Sequence, residues 1–348
     1  MPLTYEQSGV NINAGSESVE RIKKYVQKTF DKHVLTGIGS FGSLYDLAEI
    51  TRLYKHPVLV QSTDSVGTKV MIAAMMRRYD TIGRDLVAHC SNDILAMGAK
   101  PLTLLDYIAT SAVSPDLIED IVKGVAEGCR EAGISLVGGE TAELPGVYQK
   151  DEFDLAGAVA GVVEKDKIIT GKTIKPGDVV LGFASSGLHT NGYSLARKLL
   201  FELGGYTVDS RIPELEKTVG ETLLRPHINY IKPVHALLEA GVAIKGIAHI
   251  TGGGFIDNIP RILPDGTAVE IKKGSWPVPP IFTVMQRLGS LEEKELYRTF
   301  NMGVGMVVVV SVEDREIIKE TLQERSQLVY EIGQVVGHNL DAVRVALL

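Results

Sequence analysis

Cysteine is scarce: the 348 residues contain two, Cys90 and Cys129. Two thiols cannot frame a disulfide-stapled fold, and no Cys-x-x-Cys spacing offers a thiolate metal site. Such scarcity fits a reducing compartment. A basic excess is also missing. The 36 Lys and Arg stand against 43 Asp and Glu, a formal charge of −7, so sequence-independent nucleic-acid binding is not expected. An anionic ligand would need a local device: a metal, a helix N-terminus or a few placed cations. Long apolar runs are lacking as well. Val304–Val310 is far too short to span a bilayer, and Met1–Val10 is polar, without the basic-then-apolar pattern of a secretory signal. These absences lead to the expectation of a cytoplasmic protein with no membrane and no nucleic-acid partner.

What is present is ordinary for a soluble globular protein. The length suggests two domains, and 45% hydrophobic with 23% charged residues is ordinary composition for a packed chain. Glycine is the informative excess, with 36 residues clustered in short loops, where backbone turns tightly or approaches a ligand. The first half predicts a helix over Ser16–Phe30, with Ser16 as N-cap and Val19, Ile22, Val26 and Phe30 as its apolar stripe. It further predicts a strand at Pro57–Ser62, a helix at Asp80–Ala96, a strand at Leu102–Ala109 and a helix from Pro115 to Ala132. Strands at Ile134–Val137 and Asp154–Glu164 follow. The turn-rich stretch Glu164–Asp178 marks a boundary, giving domains 1–168 and 169–348. The second half predicts strands at Asp178–Ser185, Ile244–Ile250, Gly303–Ser311, Tyr330–Val336 and Ala342–Leu347, and helices at Asn191–Leu203, Ile228–Ala240 and Glu313–Arg325. Both halves mix strands with helices, so the class is α/β or α+β in two lobes.

Several strings carry chemistry, each with a bland counterpart. Thr63-Asp64-Ser65-Val66-Gly67-Thr68-Lys69 follows a strand. Its carboxylate suits a metal, and its backbone N–H groups and lysine suit phosphate oxygens; the bland reading is an ordinary Asp/Gly turn. Asn92-Asp93 lies late in a helix, where an acid opposes the dipole. His89 and Asp93 are at i and i+4 and could share a metal, although a satisfied, partly buried histidine is the plainer reading of His89. Gly138-Gly139-Glu140-Thr141-Ala142-Glu143 pairs glycines that admit a ligand with two carboxylates. Ser185-Ser186-Gly187-Leu188-His189-Thr190-Asn191 joins a strand to a helix, a natural anion seat, and offers His189 for proton transfer. His249-Ile250-Thr251-Gly252-Gly253-Gly254 is a narrow backbone suited to phosphate. Arg298-Thr299-Phe300-Asn301-Met302-Gly303-Val304-Gly305-Met306 leads into a strand, its methionines reading as core. Gly37, Gly39 and Gly42 spell GxGxxG, but no strand precedes them, so a dinucleotide fingerprint is not expected.

Together with YEQSGVNINAG from Tyr5 to Gly15, these strings resemble, in order and spacing, the aminoimidazole ribonucleotide synthetase (phosphoribosylformylglycinamidine cyclo-ligase) family over nearly the whole chain. The resemblance implies a two-domain α/β fold of the α+β type, with the N-terminal sheet forming a barrel-like dimer core and ATP in a cleft nearby. It implies ATP and Mg2+ as requirements, formylglycinamidine ribonucleotide as substrate, and a homodimer. The implied metal ligands are Asp64, Asp93 and Glu140, with Gly67, Thr68, Gly138 and Gly139 also contacting ATP. Lys23 and Lys69 would neutralise the transferring phosphoryl group. Ser186, Gly187, His189, Asn191, Thr251, Gly252, Gly253 and Gly254 would bind the ribonucleotide on the second-domain face of the cleft, with His189 moving a proton. Asp64-Ser65 departs from the Asp-Gly expected of that family. Selenophosphate synthetase, thiamine monophosphate kinase and a hydrogenase maturation protein share the implied fold and are alternatives, as is a non-catalytic nucleotide-binding partner.

Overall fold

The computed structural model describes residues 6–323, 327–338 and 343–348. The chain divides into two compact units, one built from the chain up to Ile94 with Ala99–Asp166, the other from Leu95–Gly98 with Lys167–Leu348. Each unit mixes helices with one sheet, the class expected from the alternation of elements. Among the described residues no helix is long and apolar enough to cross a membrane.

The first unit contains β1 (Pro57–Ser65), β2 (Lys100–Thr110), β3 (Ser135–Glu143) and β4 (Phe153–Glu164), in the order β1-β4-β2-β3. β2 and β3 are parallel and the other pairs antiparallel. Its main helices are α1 (Ile12–Val26), α2 (Lys69–Met76), α3 (Asp80–Leu95) and α4 (Pro115–Ala132). α4 is the crossover that a parallel strand pair requires. Gly133, in the left-handed conformation at φ 71°, ends it. α3 and α4 approach so closely that a Cβ on Gly83 would lie 2.4 Å from the Ile121 carbonyl oxygen, and one on Gly124 1.9 Å from that of Asp80.

Two local expectations are corrected. α1 starts four residues before Ser16, because Asn11 caps it by accepting from the Ala14 N–H at 3.0 Å. The backbone N–H of Asn11 is itself held by the Glu143 carboxylate, a partner 132 positions away. Toward Phe30 the helix tightens into a 3-10 turn, Gln27–Thr29. β3 does not stop at Val137. It runs on through both glycines to Glu143, because β2 offers a ladder in register, with Leu105 opposite Gly138 and Asp106 opposite Gly139.

The second unit holds β5 (Val179–Ala184), β6 (Gly246–His249), β7 (Thr267–Ile271), β8 (Val304–Val310), β9 (Val329–Gly337) and β10 (Val345–Leu347), in the order β10-β7-β9-β5-β8-β6. β8 is buried at every position, which explains its unbroken apolar run. The helix expected at Asn191 begins at Tyr193, since Gly192 before it is left-handed at φ 78°, and it loosens into a π-helical turn over Lys198–Leu203. β7 and the helices Pro280–Gly289 and Glu293–Thr299 were not expected. The Tyr5 start of one motif, the Arg325 helix end and the Ala342 strand start lie outside the described residues.

Candidate functional site

In the first unit the end of β1 and the last turns of α3 bring acids together. The Asp64 carboxylate accepts from its neighbour's Ser65 N–H at 2.7 Å and from His89 Nε2 at 2.8 Å. Asp93, one turn beyond His89, accepts from Ser62 Oγ at 3.2 Å. His89 and Asp93 thus share the α3 face that meets β1, as their i, i+4 spacing allows. His89 is buried and orients Asp64, so the bland reading of this residue is partly right: it is a satisfied core histidine, and its partner is a candidate functional acid. Ser65 stays in the strand. Gly67 takes the left-handed turn at φ 61°, so the departure from Asp-Gly asks nothing unusual of the serine. Burial pushes the Cys90 thiol up to about 12 and raises that of Cys129 as well, so neither offers a thiolate nucleophile near neutral pH.

Three expected groups are placed differently. Lys69 opens α2 with its side chain fully buried, and its Nζ lies 2.7 Å from Asp85 Oδ2, also fully buried. Burial lowers the lysine's pKa while Asp85 opposes the shift. Its charge is therefore met inside the unit, behind the Asp64–Thr68 loop. Lys23 lies on the partly exposed face of α1, paired with Glu20. Glu140 is not brought to the aspartates. Asp64, Gly157, Asp106 and Gly139 form one cross-strand row, so Glu140, the next residue, points to the opposite face. With β4 and β2 intervening, it also stands three strand spacings from Asp64, roughly 14 Å. Among the described residues no group of three or more His, Cys, Asp or Glu is arranged to hold a metal ion. A pair of aspartates still fits Mg2+, which commonly takes one or two carboxylates and completes its shell with phosphate and water.

Two cavities flank this sheet. One, about 470 Å³, lies beside Ser65, Gly67 and Thr68 and is walled by Met71, Tyr148 and Phe153. The other, about 620 Å³, lies between α1 and β3. Val19, Ile22 and Val26 form its apolar side, and Gly37–Ser43 and Gly138–Thr141 its glycine-rich side. The GxGxxG string is therefore a cavity wall without being a dinucleotide fingerprint. Asp106 lines the same cavity. A Cβ on Gly139 would fall 1.7 Å from Asp106 Oδ1, which is why glycine is needed there.

In the second unit the two motif loops meet. Gly187 stands at φ 146° and His189 in the left-handed region at φ 62°, a conformation unfavourable for a residue with a Cβ. Asn301 holds this loop, donating to the Gly187 carbonyl at 2.8 Å and accepting from Ser185 Oγ at 3.1 Å. Ser186 donates through its hydroxyl to the Pro226 carbonyl at 2.5 Å and through its N–H to His189 Nε2 at 3.2 Å. His189 is 1% exposed and stacks on His227 with ring centroids 3.9 Å apart. The His249 loop is tied by Asn258, whose amide reaches the carbonyls of Thr251, Gly252 and Gly254 at 3.3, 3.1 and 2.8 Å. Asn191 borders Gly252, where an added Cβ would lie 3.4 Å from Asn191 Oδ1. Gly305 is explained by the histidine: a Cβ there would lie 2.4 Å from His189 Cε1 and 2.2 Å from Tyr230 Oη. Asn258, Asn301 and His227 carry these loops, and the sequence reading assigned none of them a role. Asn301 sat inside a quoted motif, whereas nothing local distinguishes Asn258 or His227.

The N-terminal domain model of the AIR synthase related proteins matches residues 45–163, and the C-terminal domain model matches residues 175–346. The phosphoribosylformylglycinamidine cyclo-ligase of Thermoanaerobacter pseudethanolicus is 52% identical over 334 residues, covering 96% of this chain and 98% of that one. In fold, the chain is similar to the thiamine-monophosphate kinase of Stenotrophomonas maltophilia K279a, with a TM-score of 0.69 at 17% identity over 95% of each chain. It is also similar to the hydrogenase maturation protein HypE in complex with ATP, with a TM-score of 0.64 at 19% identity over 94% of this chain and 90% of that one. The chain belongs to the phosphoribosylformylglycinamidine cyclo-ligase family and is an enzyme of the ligase class.

Proposed function

We propose that the protein closes the imidazole ring of 5-aminoimidazole ribonucleotide from formylglycinamidine ribonucleotide, consuming ATP and releasing ADP and phosphate, as a cytoplasmic step of purine biosynthesis. The observation that carries this reading is the aspartate pair where β1 meets α3, Asp64 on His89 and Asp93 on Ser62, in a chain 52% identical to a named cyclo-ligase. ATP as co-substrate is supported by the ATP complex of a protein of the same fold.

The formamide oxygen of the substrate is a poor leaving group. In the proposed first step it attacks the γ-phosphorus, the bond to the β-phosphate oxygen breaks, ADP departs, the formamide nitrogen gives up its proton and an iminophosphate remains. The substrate's amine nitrogen then bonds to the activated carbon, the C–O bond breaks, phosphate leaves and the nitrogen loses a proton. Both steps depend on positioning and charge neutralisation and need no protein nucleophile. Asp64 and Asp93 would hold Mg2+, which when bound would supply positive charge to the triphosphate. Gly67 and Thr68 present backbone N–H groups to phosphate oxygens, and Lys23 adds a cation. Lys69 acts at one remove, fixing the loop's exit through Asp85. Gly138, Gly139 and Glu140 border the separate 620 Å³ cavity at the far edge of the sheet, a volume within the range of small-molecule sites. Ser186, Gly187, Asn191 and Thr251–Gly254 bind the ribonucleotide. His189 takes the proton at Nε2, whose lone pair Ser186 N–H now holds and must release. Two copies join through the open face of the β1-β4-β2-β3 sheet.

The test is oxygen transfer. With substrate labelled by heavy oxygen in the formyl group, we expect one labelled oxygen per phosphate released. We also expect ADP release to depend on the ribonucleotide. Unlabelled phosphate overturns the iminophosphate route; ATP binding with no ribonucleotide-dependent turnover overturns the enzyme reading.

A further inference from the structure

His227 lies in the connector before the helix Ile231–Glu239, outside every motif that the reading above assigns. It is 4% exposed, and it touches both substrate loops. Its Nδ1 lies 3.3 Å from Thr190 Oγ1, on the His189 loop. Its Nε2 lies 3.1 Å from Nε2 of His249, at the root of the glycine loop. Its ring stacks on His189 at 3.9 Å with 23° between planes. The line of contacts continues from Thr190 Oγ1 to Asn191 Nδ2 at 3.4 Å.

The chemistry of imidazole constrains these contacts. Two ring nitrogens at hydrogen-bond distance require one proton between them, so one Nε2 donates and the other accepts. Two protons there would set N–H against N–H. The hydroxyl of Thr190 can donate or accept, so it adapts to either tautomer of His227. His189 is constrained separately: the Ser186 N–H donates to its Nε2, so the proton of the neutral ring is on Nδ1. Stacking holds that ring within 23° of the His227 plane, and two cationic rings at this separation in a buried place would repel.

We infer that His227 is a positioning residue for ring closure: it locks the His189 loop to the His249 loop through one proton shared with His249, and holds the His189 ring in plane by stacking. The inference rests on the assignment of these loops to the ribonucleotide. Its effect is pre-organisation. Loops already joined need no ordering when substrate arrives, and loops set free must be ordered at the expense of affinity.

The experiment uses the full chain and three variants. His227→Leu fills the space and removes both hydrogen bonds. His227→Gln places an amide where Nε2 was, and His227→Asn places one where Nδ1 was. We expect His227→Leu to raise KM for the ribonucleotide on the order of tenfold, the scale of one lost buried hydrogen bond, with KM for ATP unchanged. His227→Gln should recover most of that loss and His227→Asn little of it. Equal KM values for the Gln, Asn and Leu variants, or a parallel rise in KM for ATP, overturn the inference; if the Leu variant does not fold, the Gln–Asn contrast decides. Long-range proton–nitrogen NMR of the unliganded protein near neutral pH supplies a readout independent of turnover. One protonated and one unprotonated Nε2 in the His227–His249 pair is the expected result, and two protonated Nε2 atoms overturn it. If wild-type protein shows no cyclisation, the functional reading fails while the NMR result still judges the shared proton.

Discussion

Burial pushes the Asp106 carboxyl up to about 7, its own backbone N–H opposing part of the shift. The carboxyl group is enclosed against Gly139, although the residue keeps some surface at the cavity wall. In the unfolded chain the same group titrates near 3.8. Between those values the folded protein holds a proton that the unfolded chain has lost. The stability conferred by the neutral carboxyl is therefore complete below about pH 4 and is lost as pH rises toward 7, at up to about 1.4 kcal/mol per pH unit. Asp106→Asn should remove this dependence. In urea unfolding between pH 5 and 8 the variant's advantage should grow with pH and level off above about 7; parallel curves would show that Asp106 is ionised throughout. Residues also differ in how legible they were. Asp64 and Asp93 stand out in the sequence because an acid at a strand end or late in a helix is locally out of place. The burial that shifts Asp106, and the salt bridge that turns Lys69 inward, come from neighbours on other elements.

Helices and strands with a local signature were read with small errors at their ends. α4 has Ser114 before it, Pro115 at its first position and Gly133 after it, and such punctuation fixes a helix by itself. The glycines where α3 crosses α4 are different, because nothing in the sequence says that Gly124 rests on the carbonyl of Asp80. Two substitutions separate these cases. Gly124→Ala should cost about 3 kcal/mol or more, since backbone must move to admit the methyl group. Gly133→Ala meets no atom within 4 Å and should cost about 1 kcal/mol, the penalty for a left-handed residue with a Cβ. Denaturant midpoints measure both, and equal losses would mean that the helix crossing relaxes freely.

At the scale of the whole molecule the informative surface is the open face of the first sheet. Leu59 lies opposite Val162, Leu105 opposite Ala158 and Tyr107 opposite Ala156, so all three side chains share one face. They are 62%, 44% and 38% exposed. Exposed apolar side chains on one sheet face are surface that a second copy could bury, and β1 and β3 are the edge strands of the described sheet, available for closure with that copy. We expect wild-type protein to sediment as a dimer and Leu105→Lys to shift it toward monomer, because a buried ammonium opposite an apolar face has no partner. A monomeric wild type, or an unaltered variant, would refute the assembly.

The sequence by itself determined the mixed α/β class, most of the strands and long helices, and the strings that identify the family, since periodicity, caps and glycine turns act over a few residues. It also singled out the loops to which the proposed chemistry is assigned. Tertiary structure alone decided which of their side chains meet. Ladder register sets Glu140 on the opposite face from Asp64, a buried aspartate claims Lys69, Glu143 fixes the start of α1 from across the unit, and His227 reaches two loops from a connector of its own. Each of those outcomes depends on partners far apart along the chain, and no local pattern records which distant group a folded side chain will meet.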